Sequence, residues 1–177
     1  MAVVTNNGYV DNALRLYNKK DSAYIILGRS QTPWSDETKP DTEDPTATRI
    51  QEVQGLRKVT TASVCRVLAD GEAALNPTIS YGGTTWELVG ADEAFITQAS
   101  YVYFGALIDV NDFPGGTYRQ VGLVTDVIPN AGINVSALTP DEVSDFGTLQ
   151  MYQNTVPYNR TNTKVLEQFI IDCKGVN

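Results

Sequence analysis

Histidine is absent from the 177 residues. That removes Ser-His-Asp and Cys-His catalysis, His-ligated zinc and imidazole pH switching. Cysteine is scarce: Cys65 and Cys173 lie far apart and no CxxC exists, so neither a zinc ribbon nor a thioredoxin-type motif is available. They read as two small buried hydrophobes, with their disulfide state left open. Basic charge is short as well. Thirteen Lys and Arg face 21 Asp and Glu, for a net charge of −8, which argues against a grip on nucleic-acid phosphates. No run of about 18 apolar residues occurs and the first twenty residues lack a signal-peptide core, so a soluble protein made in a cytoplasm, with no membrane partner, is expected.

What is present is polar but uncharged. Charged residues make up 19%, below the roughly 25% of typical domains, while Thr and Asn number 19 and 12. Hydrophobic residues, at 42%, suffice for a core, so disorder is not expected. The composition fits a loop-rich β protein in one domain, residues 1–177.

The pattern along the chain agrees. Val10, Ala13, Leu14 and Tyr17 recur at helical spacing, predicting an N-terminal helix over about residues 7–20 with Asn6 or Asn7 as N-cap. Residues 23–28, AYIILG, read as a buried strand. Residues 29–48 form the longest loop, denied a ladder by Pro33, Pro40 and Pro45 and by five acids, yet carrying Trp34. Residues 58–70 read as a strand. Residues 78–81 and 84–89 straddle Gly82-Gly83 as a hairpin. Residues 100–110 and 117–128 are strong strands that the NDFPGG turn would join as a second hairpin. Thr139 caps a short helix beginning at Pro140, and two strands, 148–155 and 163–173, close the chain. The expected fold is mainly β, antiparallel and sandwich-like, with an N-terminal helix and long loops.

No constellation carries chemistry. The acids at 36–44 lack the spacing and the glycine of a calcium loop. No carboxylate pair faces a cleft between confident strands. The paired glycines fit neither phosphate-binding motif. No enzyme activity, metal or cofactor is expected. Strands apolar on both parities and a polar, uncharged surface suit burial by neighbours, and Arg29, Trp34, Tyr118 and Arg119 fit interface anchors.

Three ordered stretches carry a family likeness: AYIILGRSQTPWSDE, then ASYVYFGALIDVNDFPGGTYRQVGLVTDVIP, then LTPDEVSDFGTLQMYQNTVPYNRTNTKVLEQFIIDC. Together they resemble the baseplate wedge proteins of T-even-type contractile-tailed bacteriophages, in a shortened version lacking the inserted domain between the first loop and the later strands. The resemblance implies a virion structural protein of the tail baseplate, assembled in the host cytoplasm. It would bridge neighbouring subunits by protein–protein packing, with other tail proteins as partners and self-association as a dimer. It places contacts on Gly28, Arg29, Pro33 and Trp34, and on Tyr118, Arg119 and Gln120. A neck or tail adaptor, or a receptor- or carbohydrate-binding β module, is the alternative.

Overall fold

A computed structural model describes residues 3–175. Strands dominate, nearly all paired antiparallel, as the alternating sequence predicts. The chain divides into two compact units, one of Met1–Lys20, Thr61–Phe104 and Gln168–Asn177, the other of Asp21–Thr60 and Gly105–Glu167.

The first unit begins with helix α1, Asn6–Tyr17. Its N-cap is Thr5 rather than Asn6 or Asn7: the Thr5 hydroxyl accepts the Gly8 amide at 3.2 Å. The helix stops before Lys19 and Lys20, where a 3-10 turn takes over at Lys20–Ser22. Val10 and Ala13 are buried against strand β3, Thr61–Val67. The hairpin of β4, Thr78–Tyr81, and β5, Thr84–Val89, forms where expected. Gly82 and Gly83 both sit in the left-handed region, at φ 59° and 77°, as the tight turn requires. A single turn, α2, covers Ala94–Thr97. With β6, Tyr101–Ile108, and β12, Val165–Asp172, these strands form a sheet of order β12-β6-β3-β5-β4. Cys65 is buried and Cys173 half-buried, both as free thiols, and burial pushes Cys65 up to about 12 and Cys173 up to about 11.

The second unit holds a sheet of order β11-β7-β1-β2-β9. Its centre is β1, Tyr24–Gly28, buried along its whole length, which is why that segment is apolar on both parities. Ile25, Ile26 and Leu27 are at most 2% exposed, and each such side chain is worth about 1.5–3 kcal/mol on burial. Around it lie β2, Gly55–Lys58; β7, Gly116–Thr125; β9, Ala137–Leu138; and β11, Thr148–Arg160. A separate pair joins β8, Ile128–Pro129, to β10, Val143–Asp145. Before β10, Pro140–Glu142 makes one 3-10 turn. Thr139 stands at the N-cap position as expected, and the Glu142 carboxylate accepts its amide at 2.8 Å and its hydroxyl at 3.0 Å.

The expected hairpin between residues 100–110 and 117–128 does not form. Both edges of β7 are taken, by β1 and by β11, and β6 pairs in the other sheet. The intervening turn is held instead by Arg160, which is 1% exposed. Its guanidinium donates to the carbonyls of Asp109 at 2.8 Å and Phe113 at 2.7 Å, and lies 4.5 Å from the Phe113 ring centre. Strand β11 also runs further than expected, carrying Pro157 through a register shift between Asn154 and Tyr158, where a missing amide proton does least harm.

Candidate functional site

The long loop runs from Arg29 to Gln54 and is folded onto its own sheet. It begins at Gly28, which faces Gln120 in the ladder. A Cβ at Gly28 would collide with the Ile50 side chain and the Gln51 carbonyl, so only glycine lets the returning chain pass this close. Arg29 follows in the left-handed region, at φ 50°, with its amide bonded to the Gln51 carbonyl at 2.6 Å.

The Arg29 guanidinium organises the next five residues. It donates to the carbonyls of Thr32 at 3.2 Å and Pro33 at 3.3 Å, and lies 3.8 Å from the Trp34 ring centre. The cation on the ring face adds electrostatic attraction to the packing. Trp34 is only 3% exposed. Its indole N–H donates to the Thr155 carbonyl at 2.8 Å, at the register shift in β11 where the ladder is interrupted. Glu52 fastens the other side, its carboxylate accepting the amides of Gln31 at 2.8 Å and Thr32 at 2.9 Å as well as the Thr32 hydroxyl. The hydroxyl, helped by those amides, holds the Glu52 carboxyl below its ordinary range.

The sheet answers through β7 and β11. Arg119, 9% exposed, makes a two-pronged bond to Glu37, at 2.9 Å from Nε and 2.6 Å from Nη2, and this fork holds the Glu37 carboxyl below the usual carboxylate range. Gln120 accepts the Gln51 amide at 3.1 Å and donates to Asn154 at 2.9 Å. Asn154 in turn donates to the Asp41 carbonyl at 2.8 Å, while its amide reaches the Glu43 carboxylate at 2.9 Å. The loop therefore substitutes its own polar groups for a neighbouring strand at the irregular part of β11.

Gly28, Arg29, Pro33, Trp34, Arg119 and Gln120 thus meet in one knot. Pro33 is exposed and Arg29 half-buried, while Trp34, Arg119 and Gln120 are buried. Tyr118 lies apart from the knot's bonds. It is 2% exposed, its ring 5.4 Å from that of Tyr158, and its hydroxyl donates to Glu167. Sequence reasoning passed over Glu37, Gln51, Glu52 and Asn154. Each is an ordinary polar residue whose importance comes only from a partner at least 20 positions away. Among the described residues, no three His, Cys, Asp or Glu side chains are grouped to hold a metal ion, and the site's polar atoms are engaged in holding the loop rather than converging on an open space.

Comparison with known proteins identifies the family. A family model described as a baseplate wedge 3 tail fiber network component matches residues 1–173. The chain belongs to this family. A curated relative, Virion protein 3 of Enterococcus phage phiEF24C, is 40% identical over 176 residues, covering 99% of this chain and 97% of that protein. The chain is therefore a phage virion protein of the tail baseplate, as the likeness of its three ordered stretches to baseplate wedge proteins implied.

Proposed function

We propose that this protein is a wedge component that bridges neighbouring subunits of a contractile tail by packing alone. In this reading it self-associates as a dimer within a symmetric assembly, is incorporated in the host cytoplasm, and performs no catalysis. The observation that carries the reading is the state of the 29–54 loop. A loop of this length, proline-bearing and acidic, has too little apolar mass to order itself, yet here it is clasped to the sheet by Arg119, Gln120, Asn154 and the Thr155 carbonyl. Preorganisation of this kind removes the ordering cost from the moment of association.

The seven interface residues then divide by task. Pro33 and the outer face of Arg29 meet the neighbour. Gly28, Trp34, Arg119 and Gln120 hold the loop in the shape the neighbour needs, and Tyr118 fixes the strand that carries Arg119 and Gln120. The fork between Arg119 and Glu37 is the point to test, because Glu37 lies outside the core. In phage complemented with Glu37→Gln, the isolated protein should keep its melting midpoint within a degree or two while its incorporation into purified tails falls. Normal incorporation would sink the reading. Light scattering at micromolar concentration tests the dimer: a strictly monomeric mass contradicts that part.

A further inference from the structure

A second feature of the same unit borders the loop's clasp. A cleft of about 780 Å³ lies between residues 48–53 and residues 144–149. Its floor is the buried trio Ile26, Ile50 and Val124, and its walls are Val53, Phe146 and Leu149, half-buried on the same core. Such a volume is in the range of binding clefts generally.

The rim is what gives the cleft a direction. It carries three charged residues, Arg49, Glu52 and Asp145. Glu52 is occupied by the Gln31 and Thr32 bonds. Asp145 accepts the Gly147 amide at 2.8 Å. Arg49 is exposed and, among the described residues, has neither a hydrogen bond nor an ion pair. The other arginines all have partners. Arg15, Arg29, Arg57, Arg66 and Arg119 each meet a carboxylate, and Arg160 meets carbonyls. In a chain with a net charge of −8, a guanidinium left unmatched beside an apolar hollow is complementary to a carboxylate from outside. Arginine beside a desolvated pocket is also the usual composition of a binding hot spot.

We propose that this cleft is a docking groove for an extended segment of a neighbouring tail protein, one that seats a large apolar side chain on the Ile50 floor and brings an adjacent carboxylate to Arg49. Thr48, Gln51 and Ser144 also line the cleft, but of its charged residues Glu52 and Asp145 are already bonded within the chain, which leaves Arg49 as the unpartnered charge beside the apolar floor. The inference rests on the structural role proposed above and adds the chemistry of the partner.

Arg49→Lys keeps the charge and places an amine where a carbodiimide can couple it directly to a touching carboxylate. In purified tails carrying Arg49→Lys, carbodiimide treatment and peptide mapping should yield a link from position 49 to an Asp, a Glu or a C-terminal carboxylate of a different virion protein. Arg49→Met should give no such link. Arg49→Glu should lower incorporation about tenfold while the melting midpoint of the isolated protein stays put. If the protein is present in tails but position 49 links only within its own chain or to a second copy, or not at all, the groove is wrong and the structural role stands. Normal incorporation of Arg49→Glu overturns the groove as well. Absence of the unaltered protein from purified tails overturns the structural role and takes the groove with it.

Discussion

The two units differ in what holds their turns and loops. In the first, distant segments meet, as in Tyr103 to Gln168 and Gln98 to Asn7, but the turns close locally: the Thr5 cap lies three residues from the amide it accepts, and the β4–β5 hairpin closes on adjacent glycines. In the second, the loop and turn are held by buried bonds between residues far apart, such as Arg160 to Phe113 and Trp34 to Thr155. Local contacts form at little loop-closure cost, while distant ones must overcome the entropy of bringing long segments together. Cutting a buried long-range tie in the second unit should therefore be felt across its sheet, and cutting a local turn in the first should be felt only in the element that is touched.

Arg160→Ala is the harshest test of that contrast. The substitution strands the carbonyls of Asp109 and Phe113 and leaves a hollow beside the Phe113 ring. Unsatisfied buried groups cost about 1–3 kcal/mol each, so a loss of about 3–5 kcal/mol is expected in denaturant unfolding. Amide exchange should accelerate across β7 and β11. Exchange that speeds up only in residues 109–115 would show the turn to be an isolated appendage.

Trp34→Ala ranks next. The indole is buried, bonded to Thr155 and covered by Arg29, so truncation should cost about 3 kcal/mol and free the 29–54 loop to proteolysis. The β4–β5 hairpin should keep its protection. A Trp34→Ala protein as resistant to protease as the parent would mean that the loop is held by the Arg119 fork and the Glu52 bonds without the indole.

In the first unit, Gly82→Ala is the matching cut. Gly82 lies at φ 59°, and a Cβ added there would meet no atom within 4 Å, so the cost is conformational alone, about 1 kcal/mol. Its effect on amide exchange should stay within residues 78–89. Spread of faster exchange to α1 would show this unit to be as tightly coupled as the other.

The same division governs what the sequence made legible. The β4–β5 hairpin, the buried run of β1 and the existence of α1 rest on neighbouring residues, and they are readable from spacing. The partners of β6 and β7 are not, because NDFPGG has the composition of a hairpin turn whether or not its flanks pair. The deciding contact on Phe113 comes from Arg160, 47 positions away. At the candidate site, Arg29, Trp34 and Arg119 stood out as anchor residue types, and the likeness to baseplate wedge proteins added Gly28, Pro33 and Gln120. Their partners Glu37, Glu52 and Asn154 carry no such mark: any of the loop's acids offers the same carboxylate, and only the fold selects which one Arg119 finds.

The smallest expected effect concerns two carboxylates, one in each unit, the first buried and the second half-buried. Glu87 is 1% exposed. Burial pushes its carboxyl up, but the amides of Leu75 and Asn76 and the Arg66 guanidinium outweigh it and hold the group below its ordinary range. Glu167 is raised, because burial dominates and the Tyr118 hydroxyl alone supports the charge. The signs of the pH dependence are opposite. A group whose folded value is lowered stabilises above the unfolded carboxylate range, near about 4.3, and loses that stability as pH falls through its folded value. A group whose folded value is raised stabilises fully below that range and loses it as pH rises through the folded value. Glu167→Gln keeps an oxygen for Tyr118 and removes the half-buried charge, so its melting midpoint should exceed the parent's at pH 8 and match it near pH 4. Glu87→Gln should fall below the parent at pH 8, with the gap closing in acid. Parallel curves for Glu167→Gln and its parent across that range would mean that the Glu167 carboxylate titrates at its unfolded value, and that Tyr118 and the surrounding burial leave the charge as well placed as water does.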